Sequence, residues 1–241
     1  MRLAVISDIH GNCDALNEVL IDIDRSKIDA TVSLGDNIGY GAEPNQVIRR
    51  LRQRSIPSVM GNHELAVVHK QHLSWFNPIA RASLLKTIEL LSEESWQFIS
   101  GLQTHLVRYG CRFVHGFPPD SPTLYRFEIS SDEKRRTIES LPEKICFIGH
   151  THDLNLLSYD GSQLIRQPLE CGITALAGDC RHIISCGSVG QPRDGNNNAK
   201  YVIFDDVEGT IEVRCLSYDI AAAAEKIIAA GLPKVHADRL Y

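Results

Sequence analysis

The chain has 241 residues, 43% of them hydrophobic, and a formal charge of -5. That supplies a core for one α/β domain spanning residues 1–241, and the mild acidity excludes general attraction to nucleic acid. No apolar run approaches the roughly 20 residues of a membrane span. Met1-Arg2-Leu3 leads straight into strand-like sequence rather than a signal peptide, so a cytoplasmic protein is expected. Seven cysteines, none in a CxxC pair, point to free buried thiols, not to a disulfide framework or a thiolate zinc site.

In chain order, Leu3 to Ser7 is an apolar run of buried-strand type, broken by Gly11-Asn12. Leu16, Val19, Leu20 and Ile23 recur at helical spacing. Asp29 to Leu34 predicts a second strand, and Pro44 opens a second helix with Val47, Ile48 and Leu51 inward. Ile56 to Met60 predicts a third strand. This βαβαβ order implies parallel strands with right-handed crossovers. Residues 65–102 change character: Asn77-Pro78 and Ser92 cap helices that form an insertion. Its aromatic residues sit at helical spacing, which predicts packing over the sheet in preference to a lid. Thr104 to Arg108 and Arg112 to His115 read as strands about Gly110. Pro118, Pro119 and Pro122 mark an exposed loop. A charged helix follows from Ser131 to Ser140, then a strand from Ile145 to Ile148. Asp160-Gly161, Gly178-Asp179 and Glu208-Gly209 each separate β-rich runs and read as hairpins. A helix from Ile220 to Ala230 closes the chain, stopped by Gly231 and Pro233. The architecture is a mixed β-sandwich with helices outside, a parallel half first and an antiparallel half second.

Four motifs follow apolar runs: Asp8-Ile9-His10, Gly35-Asp36-Asn37, Gly61-Asn62-His63-Glu64 and Gly149-His150-Thr151-His152. His10 to Asp36 is 26 positions (36 − 10) and Asp36 to Asn62 is 26 (62 − 36). One strand, one helix and two loops fit that length, so each motif returns to the carboxyl edge of the sheet, where open α/β sheets bind ligands. Residues i and i+2 of a strand face one way, which pairs Asp8 with His10 and His150 with His152. Carboxylate, imidazole and amide oxygen together suit borderline divalent ions such as manganese, iron or zinc. With the strand-end His115 the candidate ligands exceed the needs of one ion and suit two about 3.5–4 Å apart sharing a carboxylate. His69, His72, His105, His182 and His236 read as ordinary surface or core histidines.

From Asp8 to about Arg193 these pieces resemble the calcineurin-like metallophosphoesterases. Gly187-Ser188-Val189-Gly190-Gln191-Pro192-Arg193 is similar to their small bacterial and archaeal phosphodiesterase-like branch, related to diadenosine tetraphosphatase-type proteins. The resemblance implies a four-layer sandwich of mixed sheets flanked by helices. It implies two divalent ions, manganese first, with iron, zinc, nickel or cobalt as alternatives. Asp8, His10 and His152 would hold one ion, Asn62, His115 and His150 the second, and Asp36 would bridge. A metal-activated hydroxide would attack a phosphodiester or phosphomonoester, and His63 would protonate the departing oxygen. Phosphoprotein phosphatases of this superfamily place arginines where Tyr40 and Met60 stand here. A small phosphoester is therefore the expected partner, with no membrane and no dedicated nucleic-acid surface. A serine/threonine protein phosphatase and an inactive scaffold of the same fold are the alternatives. Arg193, Asn37 and Tyr40 are the candidate substrate contacts, with Asn12 and Gly190 beside them.

Overall fold

The computed structural model describes residues 1–241. The first strand, β1 (Arg2–Ile6), shows how its sequence sets the layers. Leu3 and Val5 point into a core shared by two sheets, while Ala4 and Ile6 point to the helices outside. Alternation makes both faces apolar, as a strand buried on both sides requires. Leu3, Val5 and Ile6 each contribute about 1.5–3 kcal/mol on burial.

β1 pairs in parallel with β2 (Ala30–Ser33) and antiparallel with β10 (Ala199–Asp205). β10 continues to β11 (Thr210–Leu216) and then to β8 (Gly172–Ala175). The second sheet runs β3 (His105–Arg108), β4 (Cys111–Val114), β5 (Ile145–Ile148), β9 (Arg181–Cys186), β6 (Leu154–Tyr159) and β7 (Leu164–Pro168). β4, β5 and β9 are parallel; the outer pairs are antiparallel. Phe113, Phe147, Ile184, Val202 and Phe204 fill the space between the sheets. α1 (Cys13–Arg25) and α2 (Pro44–Gln53) cover the first sheet, and α6 (Ser131–Ser140) covers the second. The result is the expected sandwich of mixed sheets between helical layers. Parallel and antiparallel pairs are not divided between halves of the chain, because β10 returns beside β1.

Residues 62–100 form α3 (Asn62–Val68), a 3-10 turn (Lys70–Trp75), α4 (Pro78–Leu90) and α5 (Glu93–Ser100). They pack through Ala66, Val67, Leu84 and Ile99 against Ile38 and Ile48. α7 (Ile220–Ala229) and the short α8 (Lys234–Asp238) close the chain. No helix is long and apolar enough to cross a membrane.

Four expectations change. Ile56 to Met60 makes only single parallel bridges, Ser33 to Ser58 and Val59 to Gln103, rather than a full strand. Gly178-Asp179 joins β8 to β9, which lie in different sheets, so it closes no hairpin. Cys171 and Cys215 are disulfide-bonded, with Cα atoms 5.9 Å apart, because β8 and β11 are paired neighbours. The other five cysteines are free. In the proline loop Pro119 is exposed, but Pro118 is buried beside Phe117.

Candidate metal centre and cleft

The motif residues lie just past the strand ends, where the chains keep pairing without being strands. The Asp8 N–H donates to the Gly35 carbonyl (3.1 Å) and the His10 N–H to the Asp36 carbonyl (2.8 Å). Asp8, His10, Asp36, Tyr40, His150 and His152 all have positive φ, between 49° and 68°. Left-handed backbone at a non-glycine residue costs about 1–2 kcal/mol. Its concentration here marks a functional constraint. It also corrects the strand-alternation argument: Asp8 and His10 converge through two left-handed turns, and so do His150 and His152. Gly61 and Gly149 permit the approach of the loops. A Cβ on Gly61 would stand 2.1 Å from Asp36 Oδ1, and one on Gly149 2.7 Å from Asp8 Oδ2.

Three buried clusters result: Asp8, His10 and His152; Asp36, His115 and His150; and His10, Asp36 and His63. In the first, His10 Nε2 lies 3.1 Å from His152 Nε2. Asp8 Oδ1 is 3.2 Å from His152 Nε2 and 3.7 Å from His10 Nε2. His10 Nδ1 faces the Ile38 carbonyl (3.1 Å) and His152 Nδ1 the Gln191 carbonyl (2.5 Å). With each Nδ1 turned to a carbonyl, the two Nε2 atoms face each other and the Asp8 Oδ1 oxygen, which has no hydrogen-bond partner. In the second cluster His115 Nδ1 donates to the Leu34 carbonyl (2.8 Å). Its Nε2 then faces Asn62 Oδ1 at 3.1 Å and Asp36 Oδ2 at 3.3 Å. His150 Nε2 meets the Thr123 carbonyl (3.1 Å), leaving Nδ1 as the free lone pair. Carboxylate and amide oxygens gathered with ring nitrogens at these distances are what a cation fits, and carbonyls behind ligating imidazoles are the usual support. Asp36 belongs to the second and third clusters and neighbours the first through His10: its Oδ2 is 3.8 Å from His10 Nε2, and its Oδ1 accepts the His63 N–H (2.9 Å).

Charge follows this geometry. For His115, burial opposes the proton, but Asp36, with Asp8 and Glu64, outweighs it and lifts the ring to about 9. Burial resists the charge on Asp8 and Asp36 as well, yet the surrounding imidazoles hold both carboxyls below the ordinary range. Burial pushes His63 down to about 4 and His150 to about 3.

His63 differs from the three rings backed at Nδ1. Its Nδ1 is buried without a partner, and its Nε2 lies 3.7 Å from Asp36 Oδ2. His10, Tyr40 and Phe76 clamp the ring, with centroids 4.7, 4.5 and 5.2 Å away. The sequence motif contained Glu64 without suggesting its task. Fully buried, it accepts N–H bonds from Asp36 (2.9 Å), Asn37 (2.7 Å) and Gly61 (3.0 Å), and one from Asn37 Nδ2 (3.2 Å). It ties the Asp36 loop to the start of α3. Its spacing from Gly61 is that of a capping box, which was the available signal.

Above these clusters opens a cavity of about 340 Å³. Asp36, Asn62, His63, His150 and His152 form its floor; Tyr40, Trp75, Phe76, Tyr125, Arg193 and Arg239 form its wall. Tyr40 and Arg193 thus reach the cleft. Asn37, expected as a substrate contact, does not: it is fully buried and spends its amide on Ser33, Ser58 and Glu64. Asn12 instead caps α1 and donates to the Gly190 carbonyl. Trp75 and Phe76 make the insertion part of the cleft as well as packing. Tyr125 stacks on His150, with centroids 3.7 Å apart. His236, read as an ordinary histidine, packs against Tyr40 at 4.5 Å. No local pattern marked Tyr125, His236 or Arg239.

Sandwich, strand-end loops and carboxylate–imidazole clusters define a metal-dependent phosphoesterase, a hydrolase of phosphoester bonds. Residues 1–154 match the family model of the calcineurin-like phosphoesterases, and the chain belongs to that family, whose members use divalent metals. An uncharacterised protein of Methanocaldococcus jannaschii is 36% identical over 245 residues, 99% of this chain and 97% of its own. Serine/threonine-protein phosphatase 2 of Escherichia coli is 44% identical over 142 residues, 54% of this chain and 64% of that protein. The crystal structure of a metallophosphoesterase from Sphaerobacter thermophilus matches with TM-score 0.86 at 30% identity, covering 100% of this chain and 98% of that one.

Proposed function

We propose that the chain hydrolyses small phosphodiesters or phosphomonoesters at a dinuclear centre. Two buried carboxylate–imidazole clusters, one containing Asp36 and the other linked to Asp36 through His10, are the observation that carries this reading. Asp8, His10 and His152 would hold one ion and Asn62, His115 and His150 the other, with the Asp36 carboxylate available to both. Manganese suits this donor set, as do iron, zinc, nickel and cobalt. Ions there would neutralise phosphoryl oxygens and make water nucleophilic near neutral pH. Asp36 sets the spacing of the two nests, and the carbonyls of Leu34, Ile38 and Gln191 fix the rings that face them. His63 protonates the departing oxygen. Burial keeps its ring neutral without substrate, and the negative charge of a bound phosphoester favours its protonated form.

The likeness to a serine/threonine-protein phosphatase favours a phosphoprotein substrate as the second reading. Tyr40 and Met60 support the first, since neither can pair with a phosphomonoester dianion as arginine does. A panel of phosphodiesters, phosphomonoesters, dinucleoside polyphosphates and a phosphopeptide, run with manganese, separates the two. Small esters are expected to give the higher kcat/KM. A phosphopeptide turned over faster than every small ester would reverse the assignment.

A further inference from the structure

Arg193 and Arg239 come from distant parts of the chain and line the same cavity as the metal clusters. Arg54, Arg112, Arg126 and Arg214 all pair with carboxylates. Neither cleft arginine forms an ion pair. Arg193 makes one side-chain hydrogen bond, to Gln191 Oε1 (3.1 Å). The only carboxylate lining the cavity is Asp36, already committed to the floor.

Both positions are braced. The loop after Arg193 is gathered by the buried Lys200 ammonium, which donates to Asp194 Oδ1 (2.8 Å), to the Asn198 carbonyl (3.2 Å) and to the Asn196 carbonyl. Arg239 directly follows α8, which is anchored by buried His236 and Ala237. Arg239, Tyr40 and Asn77 also line a side pocket of about 70 Å³ that extends the cleft. Two cations without counterions share the cavity wall with Tyr40 and offer an anion site in addition to the metal-facing floor.

We propose that the physiological substrate carries a second anionic group, phosphate or carboxylate, several bonds from the scissile phosphate and clamped by Arg193 and Arg239 over Tyr40. This rests on the phosphoesterase reading. Trp75 and Phe76 give the linking carbon segment an apolar wall. The first test compares kcat/KM for propane-1,3-diol bisphosphate and for propyl phosphate with manganese. Wild type is expected to favour the bisphosphate about tenfold or more, the scale of a charge-assisted hydrogen bond, and Arg193→Met and Arg239→Met should each collapse that ratio. The second is calorimetry of metal-free protein with propane-1,3-bisphosphonate against propylphosphonate, where the same preference and the same losses are expected. A wild-type ratio near one in both tests, or a ratio that survives the double variant, overturns the clamp. Preferential binding without hydrolysis of either ester would instead sink the phosphoesterase reading and leave the clamp standing.

Discussion

On the floor of the cleft the metal-facing imidazoles are tied from behind to carbonyls, and the Asp36 loop is stapled to α3 by three hydrogen bonds to Glu64. The wall is built differently. Trp75 is 60% exposed, Arg193 makes one side-chain hydrogen bond and Arg239 makes none. The floor spends left-handed backbone to hold acceptors together; the wall keeps unpaired cations and aromatic faces. An ion needs fixed distances, whereas a substrate of many atoms can be met by side chains that adjust. His63 sits on the boundary, with its backbone N–H bound to the floor and its ring clamped by Tyr40 and Phe76 from the wall.

The comparison breaks first at Asp36. Asp36→Ala removes the carboxylate that lies beside His10, His63 and His115, so turnover of any phosphoester should fall to the metal-free background, the largest effect expected. His63→Ala should keep its metals and lose about 10²–10⁴-fold on alkyl or nucleoside esters, and far less on nitrophenyl esters, whose leaving group needs no proton. Equal loss on both would make His63 a positioning group, and loss of metal would make it a ligand. Glu64→Gln turns an amide N–H₂ toward backbone donors. About 1–3 kcal/mol of stability should go with each stranded pair, and metal affinity should drop about 10–100-fold. A calorimetric Tm with metal titration reads both.

The smallest effect concerns the wall. Burial, with Arg239, His63 and Arg193 nearby, holds His236 down at about 4, and neither ring nitrogen has a partner. A depressed histidine contributes stability that is present above its unfolded value near 6.5 and is lost as pH falls from there toward 4. His236→Phe should therefore leave the Tm at pH 7 nearly unchanged and reduce its fall between pH 6.5 and 4. An unaltered slope would show that His236 is not buried in its neutral form.

The floor was legible because each ligand lies within a few residues of a strand end, where motif and apolar run are adjacent in sequence. The 26-residue spacing told where those ends return, but not the left-handed turns that aim the side chains. Ile56 to Met60 looks like a strand because it is apolar and buried, yet Gly61 must press against Asp36, and only single bridges form. The Cys171–Cys215 bond and the absent hairpin at Gly178-Asp179 depend on which sheet β8 joins, a long-range choice that local alternation does not carry. Arg239 reaches the cleft from just past the last helix, beyond every motif, where His236 packs on Tyr40.

Metal stoichiometry tests the central claim most directly. Purified protein and its Asp36→Ala variant would be titrated with manganese and their bound metal counted by mass spectrometry. Two ions per wild-type chain, with both sites weakened together in the variant, is the expected result. One ion per wild-type chain, or a variant that keeps one ion at unchanged affinity, would contradict a centre bridged by Asp36.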